Sequence, residues 1–350
     1  METKSQRIAS FDCLRIVLSL FVILLHFNNS SGGGALNLTV NNQIGHEMLL
    51  LGEGAAICAV DSFMLLSGYF LQSRQKRQIV KPVLLMFTVM GYNSFFSLMN
   101  MLYTGTFSIE TYIRSLIPIN YFVWLYCVVY LLSPWFNVIF ENVERKKLEL
   151  LLVLMFLLFS VYPSIVDTYT GIRGTVINGI STVSSSDNGA GYTLVNFIFM
   201  YCLGAYLRKY GLRISRVKKM IRYVICVLCT YMLMHLTMSA INYDNVFVVL
   251  SAVFLVSLFE ELPLKEHKAV TMLSGLTFQV FIIHCSMYGI WEHMDIETFL
   301  SGSVFRVIFI TVAAIAVMYG CSTMVALCGK MLVSPFVSMM KKMITGSYCV

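Results

Sequence analysis

Apolar runs and short polar segments alternate along the whole chain. The runs lie at about 11–30, 47–72, 82–103, 121–140, 148–166, 192–208, 220–238, 244–261, 270–290 and 304–328. A helix needs about 20 apolar residues to cross the ~30 Å hydrocarbon core of a bilayer. The pattern therefore predicts an all-α polytopic membrane protein with about ten transmembrane helices. Residues 1–334 read as one transmembrane domain. Residues 335–350, from Pro335 onward, read as a short cytoplasmic or interfacial tail. The first run, behind Lys4, Arg7 and Arg15, also has the look of a signal peptide. No A-x-A-like cleavage site follows it and many further apolar runs do, so it reads as a retained first helix.

Charge tests this count, because cytoplasmic loops are enriched in Lys and Arg. With the N-terminus inside and sides alternating, nearly all the basic residues fall inside, including the cluster from Arg208 to Arg222. Only Arg114 and Arg173 fall outside, while Arg15 and Arg306 lie within spans. The expectation is an even number of spans with both termini cytoplasmic, in a cell inner (plasma) membrane. The polar segments 28–46 and 167–191 suit connectors and substrate-facing loops equally well.

Composition agrees. Of 350 residues, 58% are hydrophobic and 12% charged, against about 25% charged in a soluble domain. In this setting the net charge of +7 reports topology and gives no reason to expect nucleic acid. Most of the ten cysteines lie in apolar runs, where free Cys acts as a small hydrophobe. Gly32–Gly34 make no phosphate loop, and neither HExxH nor a clustered ligand set argues for metal. No H-x4-D arrangement and no internal repeat is present.

The first run carries the most informative polar residues. At about 100° per residue, Arg15, Ser19 and His26 lie at about −60°, −20° and −40° from Asp12. They form one narrow stripe, and Arg15 and His26 are about 16.5 Å apart along the axis. A plain ion pair and an interfacial histidine would account for the ends. A continuous stripe across the membrane points instead to a bundle interior or a wet cavity. An imidazole there has the proton affinity of a general base near neutral pH.

Other polar points are more ambiguous alone. Asp61 sits mid-span, and Ser67-Gly68 permits close helix approach. Arg74 and Arg77, at i and i+3, suit phosphate binding or ordinary positive-inside charge. Trp124 belongs to an aromatic belt or a sugar site, and His284 to packing or function.

Several stretches taken in order resemble the membrane acyltransferase-3 family over nearly the whole chain. They are "FDCLRIVLSLFVILLH", "VDSFMLLSGYFL", "RQKRQIVKP", "WLYCVVYLLSPWFN", "FIFMYCLGAYLRKYG" and "TFQVFIIH". The resemblance implies a ten-span O-acetyltransferase of cell-surface or exopolysaccharide glycans, with acetyl-CoA as donor substrate and no tightly bound cofactor. It implies His26, Arg15 and Asp12 at the catalytic centre, and Arg74, Arg77, Ser67 and Gly68 around the acyl-CoA. Asp61, Trp124 and His284 would support the centre or the acceptor, with no metal. A transporter or flippase for a lipid-linked glycan is the other reading that suits a multi-pass chain of this kind.

Overall fold

The computed structural model describes residues 8–72, 77–118, 120–175, 177, 183 and 189–344, with 332–344 described by their backbone alone. Among the described residues every regular element is helical and no strand occurs. The chain opens with α1 (Ala9–Asn28), a four-residue α2 (Ala35–Leu38), α3 (Gln43–Ala56) and α4 (Ala59–Leu71). Next come α5 (Val80–Thr104), α6 (Ile109–Ser115), α7 (Tyr121–Asn142), α8 (Arg145–Phe156) and α9 (Tyr162–Arg173). The remainder is α10 (Leu194–Tyr210), α11 (Arg216–Met234), α12 (Val246–Glu260), α13 (Lys268–Ser274), α14 (Thr277–His284), α15 (Gly289–Glu292), α16 (Ile296–Leu300) and α17 (Val304–Ile344).

Among the described residues, eight helices or stacked helix segments are long and apolar enough to cross a membrane. Four of them are composite: a short 3-10 turn precedes α10 in one (Gly189–Gly191) and α12 in another (Met238–Ile241), and the other two each join a pair of α-helices. α3 and α4 follow one another across a turn at Ile57-Cys58 in the span Gln43–Leu71. α8 and α9 are joined by a π-helical turn, Leu157–Val161, in the span Arg145–Arg173. Two runs of the hydropathy pattern fall short of that standard. The run at 220–238 is α11, whose first two turns carry Arg216, Lys218, Lys219 and Arg222. The run at 270–290 is divided, because α13 stops at Ser274 and α14 stops at His284. Hydropathy averages over such breaks, whereas backbone geometry does not. α17 continues through Pro335, where the pattern starts a tail.

α1 is the hub. It packs against α3, α4, α12, α13, α14 and α17, and it buries Phe11, Leu14, Leu18, Val22, Ile23 and Phe27. The outer helices are built the other way round. α5 exposes Phe87, Phe95 and Leu102, α8 exposes Leu150, Val153 and Leu154, and α17 exposes Phe305, Phe309 and Val312. Apolar surface of this extent is a liability in water and the normal outer face of a protein in lipid.

The most intimate pairing is between α4 and α10. A Cβ on Gly68 would collide with the Tyr201 carbonyl, and one on Gly204 with the Leu65 carbonyl. Each glycine lets the facing backbone approach, as small residues do in membrane bundles. Gly204→Val should therefore force the helices apart and cost about 1–3 kcal/mol of stability. A thermal scan in detergent, read by monodispersity, would show it as a lowered midpoint. An unchanged midpoint would mean that the contact is not tight.

Candidate functional site

The stripe on α1 divides into two groups, one near each end. Near the N-terminal end, Arg15 Nη1 donates to Asp12 Oδ1 at 3.0 Å, and Ser274 Oγ donates to the same oxygen at 2.7 Å. Asp12 is 1% exposed, so its charge needs these partners. Ser19 Oγ turns back to the Arg15 carbonyl at 3.0 Å. The Arg15 guanidinium lies over the Phe70 ring, 4.9 Å from its centroid, a cation–π contact.

Arg15 lines a cavity of about 340 Å³ together with Ser67, Phe70, Leu85, Tyr126, Ser274, Phe278 and Phe281. That volume lies within the usual range for small-molecule pockets, about 300–1,000 Å³. Its walls are mostly aromatic and aliphatic, with a few polar groups from Arg15, Ser67, Ser274 and Thr277.

Near the other end of α1, His26 meets the end of α14. Its ring centroid is 5.0 Å from that of His284, and the Tyr288 phenol is 2.7 Å from His26 Nδ1. His26 Nε2 is left to accept a proton in the tautomer in which Nδ1–H donates to the phenolic oxygen. Tyr288 is itself held in place. It stacks on Trp291 with an interplanar angle of 7°, and Trp291 Nε1 donates to the Ala314 carbonyl at 3.2 Å. His284 is fully buried, and its Nδ1 lies 3.0 Å from the Val280 carbonyl. A carbonyl only accepts, so Nδ1 carries the proton and Nε2 is an acceptor.

Phe281 connects the two ends. It lines the cavity, and its ring centroid is 6.0 Å from that of His284. The cavity thus runs from Arg15 to within one side chain of the histidine pair. The glycine run after α1 closes over the same end. Gly33 N donates to the His26 carbonyl at 3.1 Å, and a Cβ on Gly32 would strike that carbonyl.

The remaining residues of the sequence reading are dispersed. Ser67 lines the cavity, with Oγ on the Phe63 carbonyl at 2.8 Å, whereas Gly68 faces α10. Arg77 is 2% exposed, with Nε on Ser133 Oγ at 2.6 Å and Nη2 on the Leu71 carbonyl at 2.9 Å. It thereby caps the C-terminal turn of α4, where Asn137 Nδ2 also reaches the Leu71 carbonyl at 2.8 Å. Arg74 lies outside the described residues. Asp61 is fully buried and accepts from Asn196 Nδ2 at 3.1 Å, away from the cavity walls. Trp124 is 51% exposed, with Nε1 on the Pro118 carbonyl at 2.8 Å. Ser274 and Trp291 join the site with no signal of their own in the sequence, whereas Cys285 and Tyr288 stand close to His284 within the ninth apolar run.

Removing the Tyr288 hydroxyl should free the His26 ring while leaving its packing on Trp291. Tyr288→Phe is expected to lower turnover about three- to tenfold, the cost of one orienting hydrogen bond. Unchanged turnover would mean that the ring is held by packing alone.

A helical bundle with broken spans, a polar stripe through its hub and an apolar cavity that stops one side chain short of two histidines defines a membrane protein built around an internal reaction or transport site. A family model described as "Acyltransferase domain" matches residues 8–323. The chain belongs to this acyltransferase-3 family and is a multi-pass membrane acyltransferase. No curated protein and no solved structure matches it.

Proposed function

We propose that the protein moves an acetyl group from cytoplasmic acetyl-CoA to a sugar hydroxyl of a cell-surface or exopolysaccharide glycan, or of its lipid-linked precursor. The observation that carries this reading is the cavity itself. It runs from the Arg15 cation along apolar walls to Phe281, whose ring centroid is 6.0 Å from that of His284. A thioester arm is narrow and largely apolar with polar amides. An apolar tube with a few polar groups suits it, and the distal imidazole suits the reacting carbon.

In the proposed orientation both termini are cytoplasmic, the bundle has ten spans, and the N-terminal end of α1 faces the donor side. Arg74 contacts the nucleotide phosphates, and Arg77 holds the α4 turn beside the cavity mouth. Arg15, fixed by Asp12 and Ser274, steers the arm inward. His26 Nε2 then takes the proton of the acceptor hydroxyl. The hydroxyl oxygen attacks the thioester carbonyl, the C–S bond breaks, and the proton passes to the departing thiolate. Transient acylation of His26 is the two-step version of the same transfer. Ping-pong kinetics would distinguish it. His284, with its acceptor nitrogen inward, assists the transfer. Asp61 supports the α4–α10 wall, and Trp124 anchors that rim at the interface.

The test is mass spectrometry of surface glycan from cells with and without the gene. The expected result is loss of one acetyl mass per modified sugar when the gene is absent. Unchanged acetylation with impaired glycan export would favour a flippase instead and overturn the assignment.

A further inference from the structure

Three metal-ligating side chains converge at the end of α14. His26, His284 and Cys285 each offer a donor atom, and these atoms all lie within 4.8 Å of one another. Linear spacing gave no hint of this, because His26 comes from the opposite end of the chain. From this juxtaposition we infer that the protein binds one Zn²⁺ ion through His26, His284 and Cys285.

The separation of His284 at the end of α14 and the following Cys285 is already that of a zinc site. Cys285 Sγ is 3.6 Å from His284 Nε2. With Zn–S of about 2.3 Å and Zn–N of about 2.0–2.1 Å, the edge of a tetrahedron between S and N is about 3.6 Å. The pair thus has the separation that one ion requires, and His26, whose donor atom lies within 4.8 Å of the other two, needs only a modest approach to complete three ligands. The outer contacts also match. Zinc-bound histidines characteristically donate their other ring N–H to a carbonyl or similar acceptor. His284 Nδ1 does so to Val280. The Tyr288 phenol beside His26 Nδ1 fixes the second ring in the same way.

Two imidazoles and one thiolate make a borderline-soft donor set that suits zinc and disfavours Mg²⁺ or Ca²⁺. Binding releases the thiol proton of Cys285 and leaves a fourth position open. It also occupies nitrogen lone pairs that a general base needs, so zinc bound here blocks proton transfer to His26. The inference stands on the donor geometry and does not depend on the donor or acceptor proposed above.

The experiment is titration of the purified, metal-free full chain in detergent with Co²⁺, followed by optical absorption. The expected result is one Co²⁺ per chain with a thiolate-to-cobalt charge-transfer band and tetrahedral visible bands. Both are displaced by Zn²⁺ and lost in Cys285→Ser. Absence of the band, or its full retention in Cys285→Ser, would overturn the site. Retention would assign the thiolate to another cysteine, such as the Cys226/Cys229 pair in α11. A second reading needs no variant. Zn²⁺ should slow alkylation of Cys285 in the native chain at least tenfold, measured by peptide mass spectrometry. An unchanged alkylation rate contradicts the site. Failure of either measurement leaves glycan acetylation untouched, so the two proposals fail separately.

Discussion

His26→Gln is expected to abolish acyl transfer while leaving the protein inserted and folded. The amide keeps much of the imidazole's polarity and size but has no basic nitrogen. A positioned general base contributes about 10²- to 10⁴-fold to rate, and the loss should fall within that range. The variant should elute as one species in detergent, because the surrounding Tyr288–Trp291 stack and the Gly33 contact to the His26 backbone do not use the basic nitrogen. His284→Gln should be milder if His284 only assists. Equal losses in both variants would mean that the two rings act as one unit, and a double variant no worse than either single would confirm it.

The second large effect concerns Arg15. Truncation to Ala removes the cation from the cavity wall and takes the guanidinium away from Asp12, which is 1% exposed and still accepts from Ser274. Breaking a buried pair from one side costs about 3–5 kcal/mol. The Arg15 side chain is itself 28% exposed, so the lower part of that range is expected. Arg15→Ala should therefore both reduce folded yield and raise the KM for acyl-CoA. The two consequences separate in the double variant Asp12→Asn with Arg15→Gln. Removing both charges together should restore the yield without restoring the KM. Arg15→Lys keeps the charge but loses the planar fork, and should fall between. If the double variant regained normal KM, Arg15 would be structural only.

Much of this site was legible in the linear chain, for a definite reason. A helix places residues by a fixed angle and rise, so Asp12, Arg15, Ser19 and His26 could be put on one stripe without coordinates. The stripe does face the bundle interior, with Asp12 and Ser19 buried. Membrane helices also advertise themselves by hydropathy, and all ten apolar runs correspond to helical segments. Hydropathy could not show where helices break. The stops at Ser274 and His284 depend on backbone turns, here Ser286 N and Met287 N bonding back to the Ile283 and His284 carbonyls. Those turns are what bring Cys285 and Tyr288 to His26.

Long-range partners were equally out of reach. Ser274 meets Asp12, and Tyr288 meets His26, each across 262 residues of sequence. No periodicity carries information over such a separation. The same limit explains Arg77. Its spacing from Arg74 suits phosphate binding and ordinary positive-inside charge alike, and its contacts depend on Ser133 and the end of α4. Positive-inside counting sees only that a cation lies near an inner boundary.

Acyl transfer by His26 is decided by following label from isotopically labelled acetyl-CoA to isolated glycan with the purified protein in liposomes. Wild-type protein should label the glycan, and His26→Gln protein of equal folded yield should not. Labelling by the variant at the wild-type rate would exclude His26 as the base.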